Sequence, residues 1–346
     1  MVDRPRWDTL RLLAGPRRGR VRQKSEIADA CAVVFGGAGF IGSHLCERLL
    51  CEGASVIAVD SFLTSRPGNV EHLAHEPRFT IVEADVTETA SVPFERGASV
   101  DFVVHLASPA SPLDYLRYPD QALRAGSLGT FSAVALARKH DARLLFASTS
   151  EVYGDPEVHP QPEWYAGRVD SVGIRAVYDE AKRFGEAVVS SATRSASVNG
   201  TIARIFNTVG PRMRPDDGRM VPAFVERCRA GEPMTIFGDG NQTRSVADVN
   251  DTVEGLLRLL RSDHPGPINI GNPDEHPVIE IACWVAEALD VTPEMTFESA
   301  MEGDPAIRCP DISLARSVLG WEPGVTAYDA VTRASRWLST MGSVPA

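Results

Sequence analysis

The sequence predicts an α/β protein with a doubly wound parallel sheet and a smaller α/β lobe in its C-terminal part. Three observations predict this fold class. Short apolar runs alternate with helical periods from Cys31 onward, a glycine-rich turn follows the first run, and the second half is rich in loops that carry arginines. Parallel neighbours need crossover connections, which place helices on both faces of a sheet and make its strands continuous apolar runs.

The apolar runs and helical periods define the predicted elements in chain order. Strands are predicted at Cys31–Phe35, Ser55–Val59, Phe79–Val82, Asp101–Leu106 and Arg143–Ala147. Helices are predicted at Gln121–Lys139, Ala176–Ser195, Val221–Arg229, Val249–Arg261, Ile279–Leu289 and Ser313–Leu319.

Length, composition and charge bound the class of protein. The chain has 346 residues, of which 43% are hydrophobic and 23% are charged. This composition is that of a globular protein, and the length exceeds what a single hydrophobic core accommodates. No stretch approaches the roughly 18 uninterrupted apolar residues of a membrane helix. The net charge of −11 disfavours a nucleic-acid binder, since phosphate neutralisation needs a cationic face. We therefore expect neither a membrane nor a nucleic acid as partner.

The cysteines and the N-terminal segment indicate the compartment. The six cysteines include no C-x-x-C pair, so we expect neither disulfides nor a metal site. The N-terminal segment lacks the apolar core of a secretion signal, and we expect a cytoplasmic protein with reduced thiols. Between Met1 and Lys24 lie eight Lys and Arg against two acids. We interpret residues 1–28 as a basic, mobile arm outside the fold.

A glycine-rich turn joins the first predicted strand to the first helix. Its sequence, Gly36-Gly37-Ala38-Gly39-Phe40-Ile41-Gly42, lets the backbone approach a pyrophosphate at the positive end of a helix. Asp60, at the end of the second strand, can accept from both adenosine ribose hydroxyls and repels a 2′-phosphate. We therefore predict a Rossmann-type domain that binds NAD rather than NADP, with Asp85 and Val86 near the adenine.

Tyr178 and Lys182 form a candidate proton-transfer pair. Their i,i+4 spacing places both on one face of a predicted helix. A phenol has a pKa of about 10, so Tyr178 needs nearby cations, and Lys182 and the positive nicotinamide ring of NAD would supply them. Tyr178 would then take a proton from a hydroxyl while the carbon gives hydride to NAD. By itself, Y-x-x-x-K also occurs on ordinary helix surfaces.

Further runs are typical of a narrower group than these two motifs. The most specific read HLASPASP at His105–Pro112 and STSEVYGDPEVHP at Ser148–Pro160; others lie at Tyr178–Arg183, Ala203–Thr208, Gly210–Met213, Asp217–Arg219, Gln242–Arg244 and Asp304–Ile312. With these runs the sequence resembles the extended short-chain dehydrogenase/reductases, and within them the UDP-glucuronate decarboxylases (UDP-xylose synthases). The similarity extends from about Cys31 to Trp337.

The resemblance implies a three-step reaction on one nucleotide sugar. Tyr178 and NAD would oxidise the C4 hydroxyl of UDP-glucuronate, with Thr149 hydrogen-bonded to the same oxygen. The carboxylate then lies β to a ketone, so carbon dioxide leaves, and protonation at C5 and return of hydride give UDP-xylose. Glu151 would handle the proton near C5, and Arg308 would lie near the sugar carboxylate and diphosphate. The protein is thus expected to be a carboxy-lyase.

The resemblance also assigns domains and binding residues. It implies an NAD-binding domain at residues 29–205 and a lobe at 206–340 that mainly binds the nucleotide sugar, with some segments returning to the first domain. The expected cofactor contacts are Gly36, Gly39, Phe40, Ile41, Gly42, Asp60, Asp85, Val86, Leu106, Ala107, Tyr178 and Lys182. The expected substrate contacts are Ser108, Pro109, Glu151, Asn207, Thr208, Arg219, Arg244 and Arg308; the arginines suit oxyanions because their guanidinium binds two oxygens at once.

Neighbouring chemistries differ at Ser150-Glu151. Sugar-nucleotide 4,6-dehydratases carry an additional acid where this chain has Ser150, and 4-epimerases usually lack the glutamate, so the pair favours decarboxylation. Three alternatives stay open: a related enzyme that releases a 4-keto sugar, a 4-epimerase or 4,6-dehydratase, and a non-catalytic NAD-binding protein.

Four positions depart from the family pattern. Gly126 replaces an Asn that organises water near the tyrosine–lysine pair, and Asp248 replaces an aromatic and would add negative charge near the diphosphate. Phe35 and Phe237 replace Thr and Tyr and are expected to be mild changes.

Relatives pair through helices like Gln121–Lys139 and Ala176–Ser195, so a homodimer with a four-helix interface is expected.

Overall fold

A seven-stranded parallel sheet forms the centre of the structure. This computed structural model describes residues 27–88, 99–300 and 307–341, so most of the predicted basic arm lies outside the described residues. The strands are β1 (Cys31–Phe35), β2 (Ser55–Asp60), β3 (Phe79–Glu83), β4 (Phe102–His105), β5 (Arg143–Thr149), β6 (Asn199–Ile205), β7 (Thr208–Val209), β8 (Met234–Phe237), β9 (Thr243–Ser245), β10 (Ala247–Asp248), β11 (Ile268–Ile270), β12 (Glu275–Pro277) and β13 (Met295–Glu298). The large sheet has the order β3-β2-β1-β4-β5-β6-β11.

Helices cover both faces of this sheet. The described helices are α1 (Phe40–Cys51), α2 (Pro112–Arg117), α3 (Pro119–Arg124), α4 (Thr130–His140), α5 (Ala176–Arg194), α6 (Met220–Ala230), α7 (Val249–Arg261), α8 (Val278–Ala288), α9 (Ser313–Leu319) and α10 (Ala327–Thr340), of which α6, α8 and α10 lie away from the large sheet. Short 3₁₀ segments lie at Pro67–Asn69, Glu71–Leu73 and Ser150–Tyr153. Among the described helices, none combines the length and apolar character that a membrane span requires.

Alternating side chains of the central strands fill two separate cores. Val33 and Val34 are adjacent in β1 and fully buried, yet they belong to different cores, because successive strand residues point to opposite faces. Helices α1, α7 and α9 contribute to the core that contains Val34. Helices α4 and α5 contribute to the core that contains Val33. The predicted doubly wound parallel sheet is therefore confirmed.

The second half of the chain builds a third core and also extends the sheet. Apolar residues of α6, β8, α8 and α10 pack together in the third core. Strand β11 pairs with β6 in the large sheet, and α7 packs on the core that contains Val34. Helix α10 was not predicted from the sequence. Ile27, from the predicted arm, is also buried in the core of Val34.

The predicted helix Gln121–Lys139 is interrupted in the structure. A π-helical turn at Ala125–Gly129 separates α3 from α4, and the Thr130 hydroxyl donates back to the Gly126 carbonyl oxygen over 2.7 Å. Glycine is a poor helix former, and Gly126 and Gly129 both lie in this turn. Periodicity alone does not reveal the interruption, since apolar residues recur on both sides of it.

Candidate active site

A cleft opens at the carboxyl ends of the parallel strands, where β1 and β4 are neighbours and the direction of winding reverses. Open α/β sheets bind their ligands at this switch point. The cleft encloses about 390 Å³ and is lined by the glycine turn, the end of β5, α5 and the loops of the second half. Both halves of the chain therefore contribute to one site.

The glycine turn forms a closely packed backbone cradle. Gly36 has φ +79°, and a Cβ atom there would lie 2.7 Å from the Ala107 nitrogen. A Cβ on Gly42 would lie 2.0 Å from the Gly36 carbonyl oxygen. Gly39, Phe40 and Ile41 line the cleft at the beginning of α1. Only glycine permits this approach of backbone to helix N-terminus, so the turn fits a dinucleotide pyrophosphate.

Asp60 holds the glycine turn in addition to its predicted ribose contact. Its Oδ2 accepts from the Ala38 nitrogen over 2.9 Å, while Oδ1 accepts from the Phe62 nitrogen and the Ser65 hydroxyl. Asp60 is buried and does not itself line the cleft, although its partner Ser65 does. The ribose contact of Asp60 stays a prediction.

Several predicted contacts lie beside the cleft rather than in its lining. Asp85 is exposed and its Oδ1 accepts from the Thr87 nitrogen. The Val86 side chain is buried in the core of Val33. Pro109 does not line the cleft, and Ala107 packs against that core, whereas Leu106 and Ser108 do line it. The adenine contact of Asp85 and Val86 stays a prediction.

Tyr178 and Lys182 are both buried on α5, and both line the cleft. The Lys182 ammonium donates to the Ala147 carbonyl oxygen over 2.9 Å and lies 5.7 Å from the centre of the Tyr178 ring. Burial lowers the pKa of Lys182 to about 8. The Tyr115 ring stacks on Tyr178 at 5.2 Å and 8°, which fixes the orientation of the phenol.

The pKa of Tyr178 is shifted in the direction opposite to the sequence prediction. Burial raises it above the ordinary phenol value, and the Glu151 charge adds to this, while the Arg219 guanidinium and a hydrogen bond with Thr149 lower it. Lys182 is not among these main influences, and its ammonium donates to the Ala147 carbonyl oxygen. The cations of the chain alone therefore do not activate Tyr178.

Glu151 is held by two arginines at the wall of the cleft. Arg308 donates to both of its oxygens, and Arg175 donates to Oε2 over 2.5 Å. Burial acts to raise the pKa of Glu151, but the two guanidiniums outweigh it and lower the pKa to about 2. Thr149 caps the 3₁₀ segment by accepting from the Glu151 nitrogen over 3.3 Å, which places Glu151 next to Thr149 and Tyr178 in the cleft lining.

Arg175 was missed in the sequence analysis. It lies three residues before Tyr178, at the beginning of α5, and this i,i+3 spacing places it near the same helix face. The spacing was the available signal, but a single arginine in a loop carries little information until its partner is known.

The predicted substrate residues line the same cleft from the second half. Asn207, Thr208, Arg219 and Arg244 all do so. The Thr208 hydroxyl is engaged by the Phe206 carbonyl oxygen and the Thr252 hydroxyl, and Arg219 lies 3.6 Å from the Asp217 carboxylate.

Two further arginines of the cleft connect the halves of the molecule. Arg214 pairs with both oxygens of Asp114 at 2.8 and 3.0 Å and donates to the Thr64 carbonyl oxygen. Arg212 pairs with Glu47. The loop at residues 210–219 is thereby attached to the glycine-turn side of the cleft. The sequence analysis did not identify these contacts.

The four departures from the family pattern have distinct environments. A Cβ on Gly126 would lie 2.6 Å from the Ala181 carbonyl oxygen, so α5 leaves no room for a side chain. Asp248 does not line the cleft, contrary to expectation: it is buried, caps α7 and pairs with Arg333. Phe35 is buried in the core, and Phe237 lines the cleft.

Comparison with known proteins agrees with this geometry. The profile of the NAD dependent epimerase/dehydratase family matches residues 32–271. The chain belongs to this family. NAD is therefore its cofactor, and the glycine cradle in the cleft lining has the geometry that a pyrophosphate requires.

Curated relatives and solved structures extend the comparison. UDP-glucuronic acid decarboxylase 4 of Arabidopsis thaliana is 47% identical over 293 residues, covering 85% of this chain and 65% of the relative. UDP-glucuronic acid decarboxylase 1 of Xenopus tropicalis is 43% identical, covering 87% and 70%. This chain thus spans about two thirds of the length of these relatives. The structure of UDP-glucose 4-epimerase with UDP-glucose from Thermotoga maritima superposes with TM-score 0.81 at 26% identity, covering 90% of this chain and 99% of that chain.

Proposed function

We propose that this family member decarboxylates UDP-glucuronate to UDP-xylose. The observation that carries the proposal is the Glu151 carboxylate, paired with Arg308 and Arg175 beside Tyr178 in one cleft. These side chains provide an oxidation site and a carboxylate site next to each other. Relatives named UDP-glucuronic acid decarboxylases, at 42–47% identity, support the same substrate.

The oxidation step depends on Tyr178 and Thr149. NAD, when bound, would supply a reversible hydride acceptor for C4 of the sugar and a positive ring that favours the ionised phenol. The Gly36–Gly42 cradle would hold its pyrophosphate, and Asp60 its adenosine ribose. The Tyr178 oxygen takes the proton of the C4 hydroxyl, and Thr149 orients the same oxygen by a hydrogen bond.

The middle step depends on the arginines that hold Glu151. With a pKa of about 2, Glu151 is ionised at neutral pH and accepts hydrogen bonds. Because the sugar carboxylate competes for the same guanidiniums, it would draw Arg308 from Glu151, and the proton affinity of Glu151 would then rise. Arg175 still donates to Glu151, so Glu151 would stay ionised in the complex and carry a proton only transiently, as it passes one to C5.

We propose that the second half of the chain, residues 206–340, holds most of the uridine diphosphate. Asn207, Arg219 and Arg244 line the cleft on that side. Arginine forks match diphosphate oxygens, so these residues would fix the nucleotide while Arg308 faces the sugar acid.

We also propose a homodimer. Leu123, Leu128, Phe131 and Phe184 expose large apolar surfaces along α3, the π-helical turn, α4 and α5, and Phe131 and Phe184 pack edge to face at 6.1 Å. A second copy would cover this surface in a four-helix interface, as symmetric dimers commonly do.

The six cysteines are free, the state that a reducing compartment maintains, and we propose a cytoplasmic location.

The test is incubation of the purified protein with UDP-glucuronate, followed by mass spectrometry of the nucleotide sugars. We expect UDP-xylose and carbon dioxide without lasting accumulation of reduced nicotinamide absorbance. Tyr178→Phe should lower the rate by at least about 100-fold. Unchanged UDP-glucuronate in the wild-type reaction would refute the proposal. A stable 4-keto product with accumulated reduced cofactor would favour the alternative enzyme that stops after oxidation.

A further inference from the structure

Asp179 is a buried carboxyl group that the proposed mechanism does not use. It follows Tyr178 on α5 and is only 6% exposed. Its Oδ1 has no hydrogen-bond partner among the described residues. Burial raises the pKa of Asp179 to about 7, and the Glu151 charge acts in the same direction. A buried carboxyl with an unsatisfied oxygen is costly, which makes its protonation state sensitive to its surroundings.

The charged groups that act on Asp179 come from several elements. Glu151 acts from the 3₁₀ segment, Arg175 from the beginning of α5 and Arg308 from the loop before α9. Glu180 acts from the next position of α5. The Asp179 charge also raises the pKa of the Tyr115 phenol and that of the Tyr178 phenol.

Glu151, Asp179, Arg175 and Arg308 form what we call the acid–arginine cluster. It counts two carboxyls and two guanidiniums, so it is neutral when both carboxyls are ionised. A sugar carboxylate that enters this cluster adds one negative charge in a region of low dielectric constant. Such a charge is compensated most readily by a proton on the weakest acid present. Glu151 already has hydrogen bonds from both arginines, whereas Asp179 has an unpaired oxygen.

We propose that Asp179 takes up a proton when the carboxylate of UDP-glucuronate enters the cleft, so that substrate binding is linked to protonation of this buried side chain. This inference rests on the proposed function and adds a positioning role to it. Asp179 does not line the cleft and acts on the substrate through the charge of the cluster.

The linkage agrees with the proton balance of the reaction. The bond between C5 and the carboxylate breaks, carbon dioxide leaves, and the electron pair passes to an enolate on the C4 oxygen. The pair then forms a C5–H bond with one proton. When carbon dioxide leaves, the negative charge moves from the carboxylate to the enolate oxygen, and it is neutralised when C5 takes up its proton; the cluster can then release the proton that it had taken up. One proton is gained on binding and one is required at C5.

Calorimetry tests this linkage in a Tyr178→Phe background, in which turnover is blocked. UDP-glucuronate is titrated in two buffers of different ionisation enthalpy, between about pH 7 and pH 8.5. We expect uptake of up to one proton and a Kd that weakens up to about tenfold per pH unit above the pKa of the free protein. UDP-xylose has the same diphosphate but no carboxylate, and its binding should take up no proton.

The Asp179→Asn variant should remove the proton uptake, and its Kd for UDP-glucuronate should depend on pH no more than its Kd for UDP-xylose does. Glu180→Gln is the matched control, because it removes a neighbouring charge on the same helix and should retain the uptake. If Asp179→Asn does not fold, infrared difference spectra of the parent protein still report the band of a protonated carboxyl group upon addition of UDP-glucuronate.

Either of two calorimetric results would overturn the inference: proton uptake that persists in Asp179→Asn, or equal uptake with UDP-xylose. A missing carboxyl band upon binding would do the same. The mass spectrometric assay tests the proposed function separately. If that function is wrong, the wild-type protein leaves UDP-glucuronate unconverted whatever the calorimetry gives.

Discussion

At the scale of a single residue, the ion pairs of Glu151 connect the stability of the fold with the proposed reaction. Its two arginine partners come from positions far apart in the chain, Arg175 before α5 and Arg308 before α9. The pairing keeps the carboxyl ionised and the wall of the cleft ordered. The same charges that stabilise the fold are those that a sugar carboxylate would recruit.

Glu151→Gln should destabilise the protein at neutral pH. The folded-state pKa of about 2 lies below the ordinary 4.5, so the contribution is complete above pH 4.5 and is lost as pH falls towards 2. A shift of this size corresponds to about 3 kcal/mol. Denaturant unfolding at pH 7 and at acid pH measures it. Glu180→Gln, whose partner Arg183 lies 3.7 Å away on the surface, should change stability little at either pH, and equal losses in both variants would contradict the expectation.

Lys182 should set the alkaline limit of activity. Its pKa of about 8 means that the ammonium loses its proton above pH 8, so the cleft that would bind NAD and the sugar loses a positive charge and a hydrogen-bond donor. The rate with UDP-glucuronate should then fall up to tenfold per pH unit. Lys182→Arg keeps a charge at that pH and should move the limit upwards, while Lys139→Arg on the exposed end of α4 should not. A limit that is identical in all three proteins would exclude Lys182 as its cause.

At the scale of elements, the π-helical turn and α5 fit each other through Gly126. Its α-hydrogen faces Ala181, the residue before Lys182. The turn replaces a continuous helix, and π-bulges are frequent at functional sites. The close contact holds the helix that carries Tyr178 and Lys182 against the cleft.

Gly126→Ala should destabilise the protein by about 1–3 kcal/mol. The added Cβ would lie 2.6 Å from the Ala181 carbonyl oxygen, so α5 must move, and the rate should fall with it. Gly68→Ala is the matched control, since a Cβ at that position meets nothing within 4 Å. Thermal unfolding and steady-state rates of the two variants test this prediction. Unchanged stability and an unchanged rate in Gly126→Ala would contradict it.

At the scale of the whole molecule, ion pairs join the two halves across the cleft. Arg214 and Asp114 are the best-paired example. Phe131 and Phe184 are exposed and do not line the cleft, whereas Tyr178 and Lys182 do, so the proposed dimer and the cleft use different sides of α5.

Phe131→Glu should convert the proposed dimer into a monomer. Phe131 is 52% exposed and contacts Phe184, and a charge in a covered apolar interface has no partner there. Light scattering measures the mass. Trp164→Glu alters a side chain that is 70% exposed elsewhere and should leave the mass of the dimer unchanged. A wild-type monomer would remove the basis for this prediction.

The sequence by itself determined the elements whose signal is local. The glycine turn, the apolar strands and the spacing of Tyr178 and Lys182 depend on neighbours a few residues apart, and backbone sterics and side-chain periodicity act over that distance. The fold class followed from the alternation of such elements. The resemblance supplied the roles of Glu151 and Arg308.

Only the tertiary structure decided which distant groups meet. The pairing of Glu151 with Arg308 spans 157 residues, the partner Arg175 carried no distinct local signal, and Asp248 turned out to cap a helix beside Arg333. Burial also reversed the expected shift of the Tyr178 pKa. Contact and desolvation depend on how crossovers bring separate segments together, and no local pattern records that arrangement.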